Sequence, residues 1–233
     1  MHEFTRLLLN YAEKEYATFS KKLIPDTQKE IIGVRVPTIK KLAREHKNNL
    51  LLINDFISSS HVFYEEQLLH GLLLTYSTQN NDILLKNTDN FVCQIDNWAV
   101  CDSTVASLKQ FKKNQENVIP FIEKWLTANN PYTVRFAIVS LMNYFLTDKY
   151  IDYVLQKVSI IKSEHYYVNM AISWLLSVAL INFYHKTYNL LINSKLSLFI
   201  KRKTIQKAIE SYRITDEKKL ELKNLRKNIK ELL

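Results

Sequence analysis

A chain of 233 residues that is 47% apolar has ample material for a continuous core, which excludes a disordered protein. Two glycines, Gly33 and Gly71, and four prolines leave almost no residues for positive-φ hairpin turns, which excludes a fold built mainly of hairpins. The formal charge of +9 suits an anionic partner such as nucleic acid and says nothing about the fold.

Apolar residues recur at helical spacing from end to end. The pattern predicts helices over about 3–20, 27–31, 37–47, 49–58, 61–78, 80–86, 98–111, 115–128, 131–146, 148–161, 164–182, 184–193, 198–211 and 215–231. Phe4, Leu7, Leu8 and Tyr11 open the first helix, and Leu68, Leu69, Leu72 and Leu73 mark the fifth. Pro37 and Pro131 stand where a helix begins and a missing N–H costs nothing. No linker rich in Gly, Ser or Pro divides the chain. The expected architecture is therefore all-α, a single domain over 1–233 built as an α-α superhelix of stacked, HEAT-like helix pairs.

Cys93 and Cys101 are the only cysteines, and the stretch MHEFTRLLLNYAEKEY becomes charged too soon for a secretory signal, so a reduced, cytoplasmic setting is the expectation. The apolar run ISWLLSVALINF is too short to span a bilayer. From Phe199 to Leu233 eleven Lys or Arg oppose five Asp or Glu, so this stretch carries +6 of the +9, as a solvated amphipathic helix or as a surface for a polyanion.

The stretch IDNWAVCDST at 95–104 combines an indole, a thiol and a carboxylate. A helix starting near Asn97, capped by Asp96 or Asn97, places Cys101, Val105, Leu108 and Phe111 on an apolar stripe. Trp98, Asp102, Ala106, Lys109 and Lys113 then share another face. Cys101 reads as a small core residue, because no nearby histidine activates its thiol. By these criteria alone Asp102 reads first as a surface carboxylate, paired with Lys109 or satisfying a helix start, and Trp98 as a packing residue.

Arg135 is the only charged residue between Pro131 and Thr147, so its guanidinium needs either an internal carboxylate, such as Asp102, or a phosphate. Trp174 lies off the stripe Val168, Ala171, Leu175 and Val178, in a helix apolar on most sides, where periodicity favours core packing. In the helix 37–47, Lys40, Lys41, Arg44 and Lys47 oppose Ile39, Leu42 and Ala43 and present either a solvated face or a track for a sugar–phosphate backbone. Glu66 and His70 share a helix face, which by itself does not complete a metal site.

Six segments together resemble the AlkD-like DNA alkylation repair glycosylases, a family built of HEAT-like repeats. They are IGVRVPTIKKLARE at 32–45, YEEQLLHGLLL at 64–74, IDNWAVCDS at 95–103, VRFAIVSLM at 134–142, YYVNMAISWLL at 166–176 and IQKAIES at 205–211, in order over nearly the whole chain. The resemblance implies a catalytic pair of Asp102 and Trp98, with Trp174 and Arg135 against the DNA; Lys40, Arg44, Lys109 and Lys113 are the further candidates for DNA contact. It also implies hydrolytic excision of purines alkylated at N3 or N7 from double-stranded DNA, by a monomer, with no metal or cofactor. Ser177 stands where better-known members carry a basic residue, which thins the expected phosphate contacts. The rival expectations are a non-catalytic relative that binds damaged or branched DNA, and a helical-repeat adaptor for another protein.

Overall fold

The helix starts are written mostly in short polar side chains. Asn49 accepts the N–H of Leu52, Asn80 those of Asp82 and Ile83, Asn130 that of Tyr132, and the Ser197 hydroxyl that of Ile200. Each satisfies a donor that the first helical turn leaves without a partner.

The computed structural model describes residues 1–77 and 80–228; the expected helix end at 78 and the last residues of the 215–231 helix lie outside the described residues. Among the described residues there are fifteen α-helices and no strand, only an isolated parallel bridge between Glu30 and Phe63. The all-α expectation holds. No helix among them is long and apolar enough to cross a membrane. The chain divides into two compact units, Met1–Phe121 and the residues from Ile122 onward.

The first unit contains α1 (Glu3–Leu9), α2 (Lys14–Leu23), α3 (Val36–His46), α4 (Leu50–Ser58), α5 (Tyr64–Ser77), α6 (Asn81–Val92), α7 (Trp98–Ser107) and α8 (Gln110–Lys113). Helix α5 lies at its centre, buried along almost its whole length and packed between α3 and α7. Leu68, Leu69, Leu72 and Leu73 are fully buried there, each contributing about 1.5–3 kcal/mol relative to exposure. Gly71 lets α7 come close: a Cβ at this position would clash with Thr104 Oγ1 and sit 3.1 Å from the Phe91 ring.

Helix α9 (Gln115–Leu126) leads into the second unit, which holds α10 (Pro131–Tyr144), α11 (Ile151–Ser159), α12 (Tyr166–Asn182), α13 (Tyr184–Asn193), α14 (Leu198–Glu210) and α15 (Asp216–Asn228). Here α12 packs between α10 and α14. Each unit thus sets alternate helices in a row, α3, α5, α7 in one and α10, α12, α14 in the other, as stacked helical repeats do.

Two sequence expectations fail for the same physical reason. The helix expected over 3–20 breaks at residues 10–13, where the Glu13 N–H is taken by the Gly33 carbonyl and its carboxylate by Arg35 at 2.9 Å. The helix expected over 27–31 is absent. Asp96 accepts the Thr27 hydroxyl and the Gln28 N–H, each at 3.0 Å, and Glu65 accepts the N–H groups of Ile32, Gly33 and Val34 at 2.7–3.2 Å. Distant carboxylates capture this backbone and hold it extended, with Gly33 at φ +87°. Helix α6 runs six residues beyond its expected end at 86, because Thr88, Phe91 and Val92 continue the buried stripe of Leu84 and Leu85 beneath an otherwise polar sequence.

Candidate functional site

Helix α7 begins with a division of labour between two neighbouring residues. Asn97, fully buried and extended, caps the helix by accepting the Val100 N–H at 2.9 Å. Asp96 instead ties the helix start to residues 27 and 28 and accepts the Asn97 amide at 2.8 Å. From this fixed start, Cys101, Val105, Leu108 and Phe111 turn inward and are buried to within 1%. Trp98 and Asp102 are half-buried, and Ala106, Lys109 and Lys113 are exposed, so the two faces are those the periodicity predicts. The Trp98 indole N–H donates to the Leu23 carbonyl at the end of α2, at 2.9 Å, which fixes the ring's orientation.

The helix expected over 98–111 ends at Ser107; Lys109 caps the short α8 from outside and Lys113 is its last residue. The Gln110 side-chain amide donates to the Thr75 carbonyl near the end of α5 at 3.1 Å, and this bond draws the chain away from the axis of α7.

The change of direction has an electrostatic result. The C-terminal ends of α3, α5 and α7, with α8, enclose a groove of about 700 Å³ whose lining includes Lys40, Arg44, Lys47, Lys109 and Lys113 and no acidic residue. The Arg44 guanidinium lies 5.5 Å over the Tyr76 ring. Four of these cations are candidates from the sequence, but helix periodicity gives only faces, and nothing in it shows that α3 and α8 meet. Trp98 and Asp102 do not line the groove; Asp102 sits one turn, roughly 6 Å along the axis, from Ala106, which does.

In the second unit, Arg135 on α10 is only 6% exposed; it donates to the Tyr167 carbonyl at 2.8 Å and lies 5.9 Å over the Tyr167 ring. Trp174 is 37% exposed, which corrects the expectation of core packing drawn from periodicity. Its neighbours Ile172, Ser173, Leu175 and Leu176 are all fully buried, so the indole is the large side chain that this part of α12 leaves to solvent. Tyr166, at 53%, and Phe199 on α14, at 36%, are also exposed, with ring centroids 6.0 Å apart. The sequence reading does not single out Phe199, because an exposed phenylalanine in an amphipathic helix resembles a buried one.

The buried ionisable groups of α5 serve the fold. Burial pushes the Glu65 carboxyl up while the three backbone N–H groups pull it down, with a net upward shift. Glu66 accepts the N–H groups of Val62 and Phe63 and the Thr5 hydroxyl, so its carboxylate is committed to the protein. His70 faces His61, Nδ1 to Nε2 at 2.8 Å; burial lowers His61 to about 4 and His70 to about 3. Among the described residues no group of three or more His, Cys, Asp or Glu is placed to hold a metal ion.

A carboxylate and a fixed indole thus share one helix face, one turn from a groove lined by five cations. The family model described as DNA alkylation repair enzyme matches residues 4–181, so this chain belongs to the DNA alkylation repair enzymes. A search of curated proteins finds no match.

Proposed function

We propose that the protein is a DNA glycosylase that removes purines alkylated at N3 or N7, working as a monomer with the whole chain, 1–233, serving as one repair domain. The observation that carries this reading is the placement of Trp98 and Asp102 together on the outward face of α7, with the indole held by the Leu23 carbonyl.

Alkylation at N3 or N7 makes the base cationic, so it departs as a neutral molecule and needs no general acid. Positive charge instead develops on the deoxyribose as the N-glycosidic bond breaks. The Asp102 carboxylate stabilises that charge and orients the attacking water. The face of the Trp98 indole adds attraction to the same cation. On the second unit, in this reading, Trp174 contacts DNA and Arg135 a phosphate. Lys40, Arg44, Lys109 and Lys113 hold further phosphates through their common groove, a sequence-independent grip that fixes register.

The test is release of 7-methylguanine from N7-methylated duplex DNA. The chain should release it, and Asp102→Asn should lower the rate by about 10²–10³, the loss typical of removing one preorganised electrostatic group, with an unchanged unfolding midpoint. Absence of release by the unmodified chain, or an Asp102→Asn variant of full activity, would overturn the reading. Duplex binding without release would leave the non-catalytic alternative.

A further inference from the structure

The charge of the chain is concentrated beyond the residues that the family model matches. From Asn182 onward, thirteen Lys or Arg oppose five Asp or Glu, so this part carries +8 of the total +9. The family model ends at residue 181. The matched part is therefore almost neutral as a whole, and its cations must be gathered locally, as in the groove, to act on an anion.

Of the helices that follow, both α13 and α14 pack against α12, the helix of Trp174, and α14 does so more extensively. Its buried side comprises Ile200, Thr204, Ile205 and Ala208, and the Ser173 hydroxyl of α12 reaches the Ile200 carbonyl at 3.4 Å. The opposite side carries Phe199, Arg202, Lys203 and Lys207. Lys203 meets only the neutral Gln206 side chain, at 3.1 Å, and among the described residues no carboxylate pairs with Arg202 or Lys207.

The position of these cations is electrostatically unfavourable as it stands. Lys201, Arg202 and Lys203 are consecutive on α14, and its first turn holds no acidic residue, so like charges crowd together there, while Lys207 alone lies in the last turn. Burial of Lys201, 4% exposed, adds to the cost by holding its ammonium below the ordinary lysine range. At the same end, a cavity of about 830 Å³ adds Lys162 and Lys195 against the single carboxylate of Glu164. By contrast, on α15 Lys218 covers the Tyr184 ring and Lys219 faces Asp216. Two cations of α15 are thus engaged within the protein, whereas Arg202, Lys203 and Lys207 of α14 meet no carboxylate among the described residues.

We propose that the outward face of α14, with Arg202, Lys203 and Lys207, is a seat for the phosphate backbone of duplex DNA, and that Phe199 and Tyr166 form an apolar rim against the sugars. The proposal rests on the DNA-repair reading for its ligand and is independent of the catalytic roles of Asp102 and Trp98.

The test measures binding of the full chain to an unmodified 20-base-pair duplex across a range of salt concentrations. Each phosphate contact contributes about 0.9 to the slope of log affinity against log salt. The triple variant Arg202→Gln/Lys203→Gln/Lys207→Gln should lose about 2 to 3 from that slope, while Lys223→Gln/Arg226→Gln/Lys227→Gln on α15 changes it by less than about 1. Phe199→Ala should weaken binding about 5-fold with the slope kept, the mark of a non-ionic contact. A slope unchanged in the α14 variant, or lowered equally by the α15 variant, overturns the proposal. If 7-methylguanine is not released yet the α14 slope falls, the glycosylase reading fails and this one stands.

Discussion

The Trp98 indole N–H and the Leu23 carbonyl, 2.9 Å apart, join residues 75 positions apart in the chain and tie the first residue of α7 to the last residue of α2. The ring is held from its polar edge, which leaves its face for other work. Trp98→Phe keeps an aromatic face and removes the tether. The expected result is a fall of roughly 10-fold in kcat/KM for 7-methylguanine release, mostly in kcat, with a stability loss near 1 kcal/mol. Steady-state kinetics and thermal unfolding together check it; an equal loss from KM alone would point to simple DNA binding.

The close approach of α5 and α7 makes Gly71 a lever on the site. In Gly71→Ala the new methyl meets the Thr104 hydroxyl and the Phe91 ring, and the expected cost is about 2 kcal/mol, or roughly 5 °C in midpoint. Thr104→Ala in the same chain should restore most of that loss, because it removes the closest obstructing atom. A double-mutant cycle with an interaction term near zero would show that the two positions do not press on each other.

The His61–His70 pair sets an acid limit. Both folded-state values lie below the ordinary histidine value of 6.5, so between the two the unfolded chain binds more protons than the folded one. Their contribution is therefore complete above about pH 6.5 and is lost as pH falls toward about 4. Unfolding midpoints measured from pH 7 down to 4 should fall steeply, and His61→Gln should make that fall shallower by about one proton.

The groove of the first unit gives a prediction about salt. Lys40→Gln/Arg44→Gln should lower the salt slope of duplex binding by up to about 2 and weaken binding similarly across sequences. Arg44→Lys keeps the charge but loses the planar stack on Tyr76, so it should retain the slope with lower affinity. Binding curves for two unrelated duplex sequences suffice to check both statements.

What the sequence makes legible here is periodic or local. The two faces of α7 follow from 100° per residue, and the cap at Asn97 from a short side chain before an apolar run. Trp174 is illegible by the same method, since an indole among Ile172, Leu175 and Leu176 carries no mark of which way it turns. The extended stretch at 27–34 is illegible for another reason. Its structure is imposed by Asp96 and Glu65, more than 30 residues away, and no local propensity records that. The meeting of Lys40 and Arg44 with Lys109 and Lys113 likewise depends on which helices are neighbours, a property of packing that the sequence pattern does not encode.

The connector between α2 and α3 is held at Thr27 and Gln28 by Asp96, at Lys29 by the His61 carbonyl at 2.8 Å, and at residues 32–34 by Glu65. Surface loops ordinarily absorb insertions at little thermodynamic cost. This one has no slack to absorb them: a single added residue would put each anchored N–H out of register with its carboxylate. Length variation in such a chain is thus confined to its other joints, and these few residues act as a gauge that keeps the spacing of the first helices fixed.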